Sequence, residues 1–145
     1  MRPPERVLVI DPGDRTGWAR CVIEGAAITS LTSGVSALKD FAIKMAEVAS
    51  EYDTFVYETW RLRPDVAKKM VGNDFQPSQL IGMIRLMGWI TPGLRLASLE
   101  PAVKKTGIKV MLPELAARCE QSSEEHDKDA LALLSYYHWK RYTTA

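Results

Sequence analysis

Cysteine is nearly missing from this chain, which has only Cys21 and Cys119 in 145 residues. With no CxxC pair and no histidine close to either, a disulfide framework and a zinc cluster are both excluded, and two packed, reduced thiols are expected. No apolar run approaches membrane-spanning length, and the opening Met-Arg-Pro-Pro-Glu-Arg lacks the apolar core of a secretory leader. The chain therefore reads as intracellular and cytoplasmic, with no membrane partner. Internal repeats and low-complexity tracts are absent too, and no composition shift marks a boundary, so a single domain over 1–145 is expected. Its length suffices for a real core without covalent staples.

Excess charge of one sign is also lacking, since the net charge is only +1. The distribution is less even. Residues 61–109 carry nine Lys or Arg against three acidic residues, a net of +6, whereas the remainder has ten basic and fifteen acidic residues. A basic middle between acidic ends suits a polyanion gripped beside a carboxylate site. A solvated lysine surface is the alternative reading of the same residues.

Most informative is Val7-Leu-Val-Ile-Asp-Pro-Gly-Asp-Arg-Thr-Gly-Trp-Ala19. Val7 to Ile10 is a short β-branched run of the kind found in strands buried on both faces. It ends in Asp11, after which Pro12 and Gly13 force a turn and Gly17 opens a second strand. A carboxylate there is fixed by the sheet and open at the turn, where a divalent cation can be held. Asp-Pro-Gly would equally serve as a plain turn.

Strands are then predicted over 17–24 and 28–33, joined by tight turns as an antiparallel meander. Ser36 is the predicted N-cap of a one-sided helix over 37–51. Residues 53–58 read as a fourth strand ending in Glu58. After a helical crossover it most economically lies parallel to the first strand, bringing Glu58 to within about 5 Å of Asp11. Residues 59–77 mix aromatic and basic side chains with Pro and Gly, as in a long functional loop. A helix over 78–90 is apolar around most of its circumference, which suggests a second face for another subunit, with Gly82 and Gly88 allowing close approach. A helix central to the fold is the other reading. Leu94–Leu99 reads as a fifth strand, followed by a short basic helix from Ala102 and another over 112–119. The last helix opens on Ser122-Ser-Glu-Glu, a capping-box pattern. His126 and Asp129 share one face near its start, turned toward the sheet, while Asp127 points elsewhere.

Asp11, Glu58, His126 and Asp129 would place three carboxylates and an imidazole around one point. Such a group repels itself without a cation, and its oxygen-rich donors suit Mg²⁺, with Mn²⁺ able to substitute. Two ions about 4 Å apart would align an attacking water and the leaving 3′-oxygen of a phosphodiester. Asp11, on the central strand, would bridge them. Glu58 and Asp129 would each hold one, and His126 would act as ligand or water activator. The product would be a nick with a 5′-phosphate.

The segments Val-Ile-Asp11-Pro-Gly-x-x-x-Gly17-Trp-Ala, Val-Tyr-Glu58 and His126-x-x-Asp129-Ala-Leu-Ala resemble, in order and spacing, those of RuvC-type Holliday-junction resolvases of the compact bacteriophage kind, within the ribonuclease H-like superfamily. The likeness covers nearly the whole chain, and Pro101-Ala-Val-Lys-Lys resembles the family's lysine-bearing segment. It implies an α/β fold with a five-stranded mixed sheet in the order 3-2-1-4-5 and helices on both faces. It also implies a homodimer paired through helix 78–90, with magnesium-dependent, paired incision of four-way DNA junctions, and forks and flaps as further branched substrates. Trp60, Arg61, Arg63, Lys68, Lys69 and Phe75 in the long loop, with Lys104 and Lys105, are the candidate DNA contacts. The chain departs from the family where several members have Asp in place of His126, in a longer 59–77 loop, and in a shorter 109–121 segment.

Three other readings remain. A ribonuclease H-like or RuvX-like nuclease would use the same core on RNA or RNA–DNA hybrids. A sugar-kinase or actin-like ATPase also places Asp-x-Gly after a strand, but needs a second similar domain. A non-catalytic junction binder would gain nothing from carboxylates facing phosphates.

Overall fold

The computed structural model describes residues 2–59 and 77–143. Its sheet comprises β1 (Glu5–Asp11), β2 (Arg15–Glu24), β3 (Ala27–Ala37), β4 (Thr54–Glu58) and β5 (Arg95–Leu99), in the order β3-β2-β1-β4-β5. The first three strands form an antiparallel meander, and β4 and β5 run parallel to β1. Fold class and strand order are therefore those the resemblance implies.

β1 is central because its side chains suit neither face to water. Leu8 and Ile10 pack with Phe55 and Tyr57 of β4 under α1 (Leu38–Val48) and α2 (Pro77–Ile90). Val7 and Val9 pack with Val56 beneath α4 (Pro113–Gln121) and α5 (Glu125–His138). Each of these fully buried aliphatic side chains contributes roughly 1.5–3 kcal/mol through its removal from water. α3 (Val103–Lys109) lies along α5 on that second face, joined to it by the Ser135 hydroxyl, which donates to the Gly107 carbonyl at 2.6 Å.

Several local expectations need correction. Ser36 is not a cap. β3 stays paired with β2 through Ala37, and Ser36 accepts the Trp18 indole N–H at 3.2 Å, so α1 starts at Leu38 with no side-chain cap. The helix expected over 37–51 ends at Val48 and continues as one 3₁₀ turn, Ala49–Glu51. The capping box at Ser122 does not form either. α5 starts at Glu125, and the Ser122 hydroxyl instead accepts the Glu124 N–H at 3.2 Å, closing the turn out of α4.

α2 buries Leu80, Ile81, Ile84 and Met87 against the core and leaves Leu86, Trp89 and Ile90 exposed. Gly82 is open, but Gly88 is not available to a partner. A Cβ there would meet Leu96 of the same chain at 2.6 Å. No helix among the described residues is long and apolar enough to cross a membrane. Cys21 and Cys119 are free thiols.

Candidate active site

Strand alternation decides where the carboxylates emerge. Val7 and Val9 face α5, so Asp11, two residues on, comes out on that face at the end of β1. Val56 faces the same way, so Glu58 does too. The parallel register pairs Ile10 with Tyr57, which makes Asp11 and Glu58 lateral neighbours, close enough for a hydrogen bond between their carboxyls.

The start of α5 is brought over Asp11 by a glycine. A Cβ on Gly17 would stand 2.0 Å from the His126 carbonyl oxygen, so only glycine lets the first turn of α5 lie against β2. His126 Nδ1 then lies 3.2 Å from Asp11 Oδ2. A second glycine positions α3. A Cβ on Gly107 would lie 2.1 Å from the Ala132 carbonyl oxygen, and this close approach brings Lys104 toward the carboxylates. Its Nζ lies 3.2 Å from Glu58 and 3.5 Å from Asp129.

Asp11, Pro12, Glu58, Thr59, Lys104, His126 and Asp129 line one cleft of about 210 Å³. All four residues expected to form the site are thus together. His126 and Asp129 turn toward the end of the sheet as expected, but they are not buried there. Their side chains are 43% and 38% exposed, because the first turn of α5 overhangs the mouth of the cleft. Asp11 and Glu58 form the buried floor.

The electrostatics are those of an anionic group short of cations. Burial, followed by the hydrogen bond to Glu58 and the charges of Glu58 and Asp129, pushes Asp11 up to about 9. Burial opposes the Lys104 ammonium, but Glu58 and Asp129 outweigh it and hold the group above the ordinary lysine range. One oxygen or nitrogen from each of Asp11, His126 and Asp129 lies within 4.8 Å of the others, so the group could hold a divalent cation. Oxygen donors with one imidazole fit a hard cation.

Trp60, Arg61, Arg63, Lys68, Lys69 and Phe75 lie outside the described residues, as does nearly all of the 59–77 loop. Lys105 is exposed on α3, and Lys104 lines the cleft beside Glu58 and Asp129. Sequence reasoning missed that placement, although a glycine inside a helical stretch was a signal for close helix packing. It also missed two buried acids. Asp127, directed away from the cleft, is only 7% exposed, and its Oδ1 has no hydrogen-bond partner among the described residues.

The second is Glu5, at the opposite end of β1. It accepts Thr54 Oγ1 at 2.5 Å, the Tyr137 hydroxyl at 2.7 Å, Arg95 Nη2 at 3.0 Å, Arg141 Nε at 3.2 Å and the Tyr142 hydroxyl. Burial raises its pKa, but these donors outweigh burial and hold the carboxyl at about 2.

No family model matches the sequence, and no curated protein matches it. Solved structures do match. RuvC from T. thermophilus, in complex with a Holliday junction substrate, superposes with a TM-score of 0.61 at 17% identity, covering 97% of this chain and 98% of that one. The fowlpox virus Holliday junction resolvase gives a TM-score of 0.63 at 12% identity, over 93% and 99%. The yeast mitochondrial resolvase Ydc2 gives 0.55 at 12% identity, over 94% and 80%. The fold is that of the RuvC-type resolvases. On a RuvC-type sheet, the ends of β1 and β4 and the start of α5 are where the four predicted residues meet.

Proposed function

We propose that this protein is a metal-dependent endonuclease that resolves Holliday junctions, and other branched DNA, by paired nicking. The observation that carries the reading is the convergence of Asp11, Glu58, His126 and Asp129 on one cleft from three separate elements. Three carboxylates together are costly for folding alone, so their presence calls for a function.

Asp11, Glu58 and Asp129 would hold the cations, Mg²⁺ or Mn²⁺, with two per site proposed, and His126 would stand beside them as ligand or water activator. When bound, the ions supply Lewis-acid charge to the phosphate and make water acidic enough to attack at neutral pH. The chain's own groups do the rest. Lys104 donates to Glu58, pairs with Asp129 across 3.5 Å, and keeps these two anions in place before the substrate arrives. His126 is oriented by Asp11 through Nδ1, which leaves Nε2 to exchange a proton with water at the mouth of the cleft. Water adds to phosphorus and the bond to the 3′-oxygen breaks, leaving a 3′-hydroxyl and a 5′-phosphate.

Paired nicking needs two sites. Leu86, Trp89 and Ile90, exposed beside the open Gly82 on α2, are the surface proposed to pair two copies. Trp60, Arg61, Arg63, Lys68, Lys69 and Phe75 are proposed to contact DNA. Neutralising one of these cations should reduce the salt dependence of binding by about one unit of slope per lost phosphate contact.

The test is incubation with a labelled four-way junction, fork, linear duplex and RNA–DNA hybrid, with and without Mg²⁺ or Mn²⁺. Symmetric, metal-dependent junction cleavage with intact duplex is expected. Equal cutting of hybrid and junction would replace this reading with a ribonuclease H-like one. Junction binding without cleavage under any metal would leave a binding protein.

A further inference from the structure

The described surface holds a second concentration of positive charge, at the far end of α5 from the carboxylates. Arg2, Arg95, Lys140 and Arg141, with Tyr136 and Tyr137, line a groove of about 360 Å³ against β5. Two of these cations, Arg95 and Arg141, pair with the carboxylate of Glu5. Glu5 is contacted by Arg95 through Nη2 and by Arg141 through Nε, so each guanidinium keeps N–H donors not directed at it. The ring faces of Tyr137 and Tyr142 hold the cations in place. Arg95 lies 5.8 Å from the first ring centre, and Arg2 and Arg141 lie 5.3 and 5.7 Å from the second. Arginines held beside aromatic rings form a surface suited to phosphates.

The groove is also placed in line with the cleft. Asp129 and Tyr136, seven residues apart, share one side of α5. α3 packs along that side, from Lys104 at the cleft to Gly107 beside Tyr136, and exposes Lys105 and Lys109 on the way. From Asp129 to Lys140 the helix rise is roughly 16 Å. That matches about five base pairs of duplex rise.

We propose that the Arg2–Arg95–Lys140–Arg141 groove is a second binding site, taking the sugar–phosphate backbone of a DNA arm that leaves the cleft along α3. The inference rests on the endonuclease reading for the position of the cut phosphate, but not for the groove's affinity for duplex.

The test compares the full-length chain with the double variant Arg2→Gln, Lys140→Gln. These residues lie outside the cleft and are not among the donors to Glu5, and melting is followed to confirm an unchanged fold. Junction affinity near 0.1 M salt should fall about tenfold, and the salt slope by about two, one per lost phosphate contact. Turnover at saturating junction should stay within twofold. Intact cleavage with unchanged affinity and slope would overturn the inference and leave the endonuclease reading standing. A chain that cuts nothing, yet binds duplex with a slope the double variant reduces, would sink that reading and keep this one. If the double substitution left DNA binding unchanged but abolished flotation with phosphatidylserine vesicles, the groove would be a membrane contact, and the inference would fail.

Discussion

Glu5 and Asp11 stand at opposite ends of β1, point to the same face of the sheet and are buried to the same degree. Their surroundings push them in opposite directions. Glu5 is ringed by hydroxyls and guanidinium groups and is held at about 2. Asp11 is set against two more carboxylates and is pushed up to about 9. An acid supplied with donors contributes to folding at neutral pH, whereas an acid crowded by like charge burdens it. One end of the strand is therefore built for stability. The other carries a charge deficit that a cation can fill, the usual mark of a working site.

The strongest way to break this contrast is to neutralise each end in turn. Asp11→Asn should reduce junction cleavage by roughly 10³-fold or more, equivalent to about 4 kcal/mol of barrier. It should also preserve or tighten junction binding, because negative charge beside a phosphate is removed. A variant that cuts normally with Mg²⁺ would place the chemistry elsewhere. Gly17→Val should rank next. Its side chain would displace the His126 backbone, at a cost of about 3 kcal/mol in stability, with loss of cleavage even in the folded fraction. Unaltered melting and cutting would show that α5 can draw back from β2 at no cost, despite the 2.0 Å that separates an added Cβ from the His126 carbonyl oxygen.

Glu5→Gln tests the other end and should cost about 2 kcal/mol near neutral pH, or ~6 °C in Tm at this chain length. The native pKa of Glu5 lies below its unfolded value, so its contribution is fully present above about 4.5 and is lost as pH falls toward about 2. The gap in Tm between the native chain and this variant should therefore shrink between pH 5 and pH 2. Cleavage per folded molecule should not change. A constant gap would mean that Glu5 stabilises by packing and not by charge.

The working end is more legible in the sequence than the structural end, for a physical reason. Asp11 and Glu58 each close a short apolar run, and His126 and Asp129 sit three apart at a helix start, so each leaves a local pattern. Glu5 draws its partners from β4, β5, α5 and the last turn, Trp139–Thr143, over a sequence separation of up to 137 residues. No local pattern encodes such a network. Lys104 lies between the two cases. Its segment is visibly basic, yet its turn into the cleft depends on Gly107 meeting Ala132, a contact between helices that periodicity does not reveal. The caps failed for a related reason, since strand pairing through Ala37 and the turn at Ser122 took groups that local rules assigned to helix ends.

The smallest effect sharpens the comparison most directly, because it reads both ends in one titration. The native pKa of Asp11 lies above its unfolded value, so between about pH 4 and pH 9 the folded chain holds a proton that the unfolded chain has released, and stability falls as pH rises. A divalent cation must displace that proton to bind, so its affinity should increase over the upper part of the same interval. With Mg²⁺ several-fold above its dissociation constant, the gain should be about 1 kcal/mol, or ~3 °C in Tm. That gain should grow from pH 6 to pH 9 and vanish in Asp11→Asn. In Glu5→Gln it should persist at full size, since the donors around Glu5 offer a cation nothing to bind. Equal gains in all three proteins would mean that Mg²⁺ acts by general screening, and the contrast between the two ends of β1 would then lose its functional meaning.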